Sequence, residues 1–375
     1  LPEGDFNPQT GFTFKPGIVA RPKSKVTDSP KGVSKDELEQ ILKQAKARIM
    51  VIGTGGAGCN TLARMMKVGI EGAETIAVNT DAQDLLYTAS DRKILIGREV
   101  TGGLGAGNSP EKGEAAAKED ESSLKDHIYG ADLVFVTCGL GGGTGTGSAP
   151  VIAETARKLG ALTIGVVTLP FTVEGSRRKT NADKGLEKLT AASDSVVVIP
   201  NDKLLSIAPN APLGAAFELA DKVLIDAIKG ITELITKPGL VNRDFADVRT
   251  VLQNSGIAAV GIGESDSPNR AEEAVIAALN SPMLDVDITG AKGALVNVIG
   301  CPDMTVTEAE KIVSKVSEAM NQDAHVIWGA QISEDMKRSV RVLVIISGVH
   351  SPYAMGPSQK QPRKVELVEM GLEQI

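Results

Sequence analysis

Short apolar runs rich in β-branched residues alternate with amphipathic stretches along most of the chain. From Arg48 the runs are "RIMVIG", "ETIAVN", "RKILIG", "DLVFVTC", "ALTIGVVTL" and "DSVVVIP". They are apolar at nearly every position rather than at alternate ones, which suits strands buried on both faces. The pattern predicts a parallel sheet with helices covering either side. In "NSPEKGE", Asn108 or Ser109 can cap a helix, Pro110 fits its first turn, and Glu111 and Glu114 lie near the positive end of its dipole.

Residues 213–235, "LGAAFELADKVLIDAIKGITELI", are apolar at 213, 217, 220, 224, 227, 231 and 234, with Val223, Ile225, Ile228 and Ile235 beside them. So wide an apolar face predicts a long helix buried between two bodies. Beyond it "IAAVGIGES", "GALVNVIG", "AHVIWGAQI" and "VRVLVIISGV" read as strands, with helices at about 269–279 and 305–320. These make a second, smaller α/β domain. Periodicity fails at both ends. Residues 1–34 read as a flexible, mildly basic arm, followed by a helix over "SKDELEQILKQAKA" capped by Ser34. From Ser351 the chain reads as a flexible tail ending in "KVELVEMGLEQI".

A length of 375 residues accommodates two domains plus tails. The net charge of −7 and an aromatic content of 3% argue against nucleic acid as a partner. Cys59, Cys138 and Cys301 are far apart, odd in number and without metal-type spacing, which suits a reducing cytoplasm. No run approaches the roughly 18 apolar residues of a membrane span. The chain opens on Leu1 rather than methionine, which reads as a trimmed start.

The chemistry lies in the glycine loops. "VIGTGGAGCN" holds Gly53, Gly55 and Gly58 in the G-x-G-x-x-G spacing, after a strand and before a helix, as in dinucleotide-binding folds. In "GGGTGTGS", Gly141 to Gly147 leave backbone N–H groups unobstructed, Thr144 and Thr146 add hydroxyls, and a helix start points its positive end inward. A third cluster, "TGGLGAGNSPE", occupies residues 101–111. Several cradles imply a triphosphate. Since G-x-x-x-x-G-K-[ST] is absent, its charge must be met by backbone dipoles, a metal ion or an arginine. A nicotinamide-dependent oxidoreductase, with Glu71 or Glu74 on the ribose, is the alternative, and it leaves "GGGTGTGS" without a role.

These loops resemble the tubulin/FtsZ family, and its prokaryotic cell-division branch in particular. "GGAGCN", "AVNTDAQ", "GLGAGNSPE", "TLPFTVEGSRR", "IPNDKL" and "NRDFADV" follow in that family's order between Arg48 and about Val349. The resemblance implies a GTP-binding domain at 35–212, a central helix at 213–236 and a GTPase-activating domain with a mixed sheet at 237–350, before the tail at 351–375. It implies GTP or GDP as ligand, with Mg2+ expected. Gly55, Gly56, Ala57 and Gly58 would meet the α and β phosphates and Asn60 the base. Gly142, Gly143, Thr144, Gly145 and Thr146 would hold the phosphate chain, and Ala106 and Gly107 the γ-phosphate. Asn79 and Asp81 fall at phosphate and magnesium-water positions, although Asp81 equally suits a helix cap. Glu174 and Arg178 match ribose and γ-phosphate contacts, or form an ordinary pair four apart. Asn201 joins the nucleotide contacts.

Base choice follows from hydrogen-bond chemistry. Guanine offers N–H donors at N1 and N2 that a carboxylate accepts, whereas adenine has no donor at N1. Asp221 stands at the family's guanine-reading position and Phe217 at its stacking position. Phe217 also fits the helix's apolar stripe, and Asp221 a solvated helix face. By the same resemblance Asn242, Asp244 and Asp247 are the catalytic set, the two aspartates sharing one face of a helical turn, where N-terminal capping is the plainer role. Asp221 and Ile235 are 14 residues apart, about 20 Å along an unbroken helix. The aspartates then lie opposite the chain's own nucleotide and act on a neighbour's, which predicts a head-to-tail homopolymer. The expected setting is the cytoplasmic division site, with tethering or regulatory proteins on the C-terminal tail. A tubulin-like cytoskeletal protein without a division role is a further alternative.

Overall fold

The computed structural model describes residues 46–207, 212–237, 244–284, 286–288, 290–321 and 323–349. The N-terminal arm, the helix expected behind Ser34, Asn242 and the tail from 351 lie outside the described residues.

The strands are β1 (Ile49–Thr54), β2 (Ala73–Asn79), β3 (Arg92–Leu95), β4 (Leu133–Gly139), β5 (Leu162–Leu169), β6 (Ser195–Pro200), β7 (Gly256–Ser265), β8 (Gly293–Gly300), β9 (His325–Ile332) and β10 (Val340–Ser347). The helices are α1 (Gly55–Val68), α2 (Ala82–Tyr87), α3 (Arg98–Thr101), α4 (Pro110–Glu119), α5 (Glu121–Ile128) and α6 (Thr144–Lys158). They continue with α7 (Ser176–Ala192), α8 (Asn201–Ile207), α9 (Leu213–Thr236), α10 (Phe245–Leu252), α11 (Arg270–Leu279) and α12 (Val306–Glu318).

All the strands join one sheet in the order β3-β2-β1-β4-β5-β6-β7-β10-β8-β9. It is parallel from β3 through β7. β10 then runs antiparallel to both β7 and β8. The strands of the second half therefore continue the first sheet instead of building one apart. They are joined to it where Ser195–Val197 of β6 face Gly256–Ala258 of β7. That pairing closes an edge that would otherwise expose unpaired backbone.

Apolar residues at every strand position explain the layers. Along β1, Met50 and Ile52 enter one core with residues of α4, α5, α6, α7, α11 and α12, while Ile49 and Val51 enter the other with residues of α1, α9 and α10. Both faces are thus buried, as the unbroken apolar runs require. Across the second core lies α9, 24 residues long, with Ala220, Leu224, Ala227, Ile228 and Ile231 turned inward. Toward its C-terminal end, Gly230 lets the helix settle on the sheet: a Cβ there would meet Leu343 Cδ2 at 2.2 Å. The Asn297 amide of β8 donates to the Gly230 carbonyl at 3.2 Å.

Candidate functional site

In the order β3-β2-β1-β4-β5-β6 the chain winds outward in both directions from β1 and β4, leaving a crevice beyond their carboxyl ends. A cavity of about 660 Å³ lies there. Its floor is Thr54 to Ala57 after β1 and the loop from Gly139 to Gly145 after β4. Thr168, Pro170, Glu174, Arg178 and Asn201 close one side. Asn60, Thr61 and Arg64 of α1 face Phe217, Glu218 and Asp221 of α9 at the other.

The floor is made of backbone because the two loops touch. A Cβ on Gly55, which has φ +70°, would lie 2.7 Å from the Gly145 nitrogen. Gly143 caps α6 without a side-chain hydrogen bond, so the first N–H groups of that helix are left for a ligand. Gly142 has open space around it. Gly147, by contrast, serves packing, since a Cβ there would meet the Pro110 carbonyl of α4 at 2.0 Å. The loop is tied down by the Thr80 and Thr144 hydroxyls at 2.6 Å and by Thr54 and Ser148 at 2.6 Å.

Six of the expected contacts, Gly58, Asn79, Asp81, Ala106, Gly107 and Thr146, are not among the residues that line the cavity. Gly58 is pressed onto β4, where a Cβ would meet the Thr137 carbonyl at 2.5 Å. Thr146 turns inward and its hydroxyl accepts from the Gly141 N–H at 2.8 Å. Asn79 is buried, donating to Asp84 at 2.7 Å and accepting from the Thr80 N–H at 2.9 Å. Asp81 caps α2, its Oδ1 accepting from the N–H groups of Gln83 and Asp84. Ala106 is buried with its Cβ beneath Gly143, and Gly107 continues that turn at φ +57°.

On the side formed by α1 and α9, Phe217 leaves the buried stripe of α9. It is 40% exposed and meets Phe171 edge-on, with ring centroids 5.3 Å apart. Asp221 is not solvated either. Its Oδ1 accepts from the Thr61 hydroxyl at 2.6 Å and its Oδ2 from Arg64, which also lies 3.8 Å from Glu218. Burial pushes the Asp221 carboxyl up, and Thr61 and Arg64 oppose that push. The sequence reading passed over Thr61, Arg64 and Glu218, although 57, 60, 61 and 64 share one helical face. Asn201 is buried with its Oδ1 unpartnered. Glu174 and Arg178 do pair with each other, while the second Glu174 oxygen accepts from the Phe171 N–H at 2.8 Å.

Asp244 is the N-cap of α10 and makes no side-chain capping bond; Asp247 lies in its first turn. The same helix extends Arg249 to the carbonyls of Asp132 and Gly160, at 3.4 and 3.5 Å. Those carbonyls precede β4 and β5, whereas Gly139 and Thr168, at the far ends of the same strands, line the cavity. A strand of this length separates the two by about 20 Å.

Residues 48–209 match the GTPase domain of the Tubulin/FtsZ family, and residues 256–350 the FtsZ family C-terminal domain. The cell division protein FtsZ 1 of Thermococcus kodakarensis is 56% identical over 344 residues, covering 89% of this chain and 92% of its own. The chain belongs to the tubulin/FtsZ family. Within it, FtsZ 1 of Pyrococcus woesei is 59% identical over 87% of this chain and 89% of its own. The FtsZ dimer of M. jannaschii superposes with a TM-score of 0.80 at 57% identity, covering 84% of this chain and 91% of its own. CetZ2 from Haloferax volcanii shares the fold at 23% identity, with a TM-score of 0.69 over 81% of this chain and 93% of its own. Membership in the tubulin/FtsZ family sets the nicotinamide reading aside, and the geometry agrees. Glu74 is paired with Arg48 at 3.3 Å and Arg92 at 2.5 Å, and neither it nor Glu71 lines the cavity.

Proposed function

We propose that this chain binds GTP in the cavity after β1 and β4, and hydrolyses it to GDP and phosphate in a site completed by a second copy. Head-to-tail repetition of that contact yields protofilaments that form the division ring at the cytoplasmic face of the membrane. One observation carries the reading: the glycine-lined cavity and the Asp244–Asp247 turn occupy opposite ends of the same strands. A site split between two poles of one subunit is assembled only between subunits, and a heterologous contact of that kind propagates.

Each part has a chemical task. The open N–H groups at the start of α6 and the Gly55–Ala57 backbone receive phosphate oxygens, with Arg178 beside them. Phe217 covers the base and Asp221 accepts from its N–H edge. Asp244 and Asp247 of the next subunit orient the attacking water, with Asn242 in their loop; phosphoryl transfer asks mainly for positioning and charge neutralisation. Among the described residues no three His, Cys, Asp or Glu side chains converge as metal ligands. The expected magnesium ion would accordingly take its oxygens largely from phosphate and water. Among the same residues no helix is long and apolar enough to cross a membrane. The M. jannaschii relative was solved as a dimer, and the CetZ2 protein as a GTPγS-bound protofilament.

The test mixes two inactive variants. Asp247→Ala loses the water-orienting acid. Gly143→Val blocks the cradle, because its Cβ would lie 2.9 Å from the Ser109 nitrogen. Recovered GTP hydrolysis in the mixture is the expected result. No recovery, with both variants folded by circular dichroism, would overturn the shared site.

A further inference from the structure

Arg64 belongs to α1, and its guanidinium reaches across the cavity mouth to a carboxylate on α9 that burial alone would tend to protonate. Asp221 is 15% exposed and Arg64 35%, so the pair lies at the edge of the wall and not on open surface. The charged or hydroxyl groups that face Asp221 are Arg64 and Thr61 from α1 and Glu218 from its own helix. Glu218 repels it. Arg64 is the only cation among these groups.

We propose that Arg64 is a positioning residue for nucleotide choice: bonded to Oδ2, it aims the carboxylate's free lone pairs at the N1–H and N2–H edge of guanine. This rests on the GTP reading above. Each carboxylate oxygen accepts in about two directions. Thr61 occupies one direction on Oδ1 at 2.6 Å, and Arg64 one on Oδ2. One direction then remains on each oxygen, which is what two adjacent N–H donors need. A protonated Asp221 could not serve, because its hydroxyl proton would face one of those donors. The Thr61 hydroxyl has a single proton and also lies 3.1 Å from the Ala57 carbonyl, so it cannot fix the carboxylate by itself.

The test compares the full chain with Arg64→Met, Arg64→Gln and Arg64→Lys. Affinities for GTP, ATP and inosine triphosphate, which lacks the 2-amino group, are measured by fluorescence titration from pH 5.5 to 8. The wild type should favour GTP over both analogues with little pH dependence. Arg64→Met and Arg64→Gln should bind GTP about tenfold or more weakly, since a buried acceptor loses its partner. They should also weaken further as pH falls, with the GTP preference over inosine triphosphate collapsing. Arg64→Lys, which restores the charge, should recover the flat profile. If Arg64→Met does not fold, the Gln and Lys variants make the same comparison. An unchanged preference and pH profile in both neutral variants overturns the role of Arg64 and leaves the GTP reading intact. A wild type indifferent to GTP and ATP overturns the guanine reading itself, and this inference with it.

Discussion

Phe217 and Asp221 stand one turn apart on α9, and both reach over the cavity. Phe217 is half in solvent, so Phe217→Ala should leave the melting temperature nearly unchanged while weakening GTP binding by about 1 kcal/mol, the order of one lost aromatic contact. Calorimetric titration beside a thermal melt checks both. Glu308 has the opposite profile. It completes a capping box with Thr305 and accepts from Arg270 Nε at 2.7 Å, and that arginine holds its carboxyl down to about 2. A depressed carboxyl stabilises in full above its unfolded value, near 4.5, and that stabilisation fades as pH falls through about 2. Glu308→Gln should cost about 2 kcal/mol at pH 7 and almost nothing below pH 2, measured by urea unfolding. At this scale the sequence was only partly readable. Phe217 and Asp221 were marked by the family resemblance and the cap at Asp81 was among the roles its position offered, but nothing in "AVNTDAQ" shows that Asn79 is consumed by Asp84 and Thr80. Those bonds depend on how β2 meets α2. The partnership of Arg64 with Asp221 spans 157 positions and needed the fold before it could be seen.

The packing of α4 on α6 is set by glycine. Gly147 lies where a Cβ would come within 2.0 Å of the Pro110 carbonyl and 2.5 Å of the Glu114 nitrogen, both backbone atoms that cannot swing aside. Gly147→Ala should therefore destabilise the protein by about 2–3 kcal/mol, although alanine is the better helix former. Chemical unfolding gives the sign directly, since a gain in stability would mean that the helices slide apart freely. Elements themselves were legible almost to the residue. Every apolar run read as a strand is a strand, because β-branched residues without polar alternation leave a doubly covered sheet as the only burial available to them. A cap at Asn108 or Ser109 and the Pro110 start of α4 were likewise visible, and Ser109 takes the cap position. What the runs could not convey was strand partnership. Pairing of β6 with β7, which joins the two halves in one sheet, involves residues about 60 positions apart and has no local signature.

For the molecule as a whole, the proposed shared site would make activity a property of contact between copies. Hydrolysis per molecule should climb with protein concentration around the assembly threshold, and a turnover that stays constant to high dilution would contradict the in-trans site. Sedimentation with GTP, beside an ATP control, should show polymer only with the former. The cavity is built of two materials, and its two ends will respond to change differently. Its glycine end is main chain pressed on main chain, Gly55 against Gly145 and Gly143 against Ser109, and a side chain added at either glycine meets backbone atoms that cannot swing aside. Its other end is side chains on α1 and α9 and can be edited one residue at a time. On the proposed reading, selection would retune which base such a molecule accepts far more readily than how many phosphates it grips.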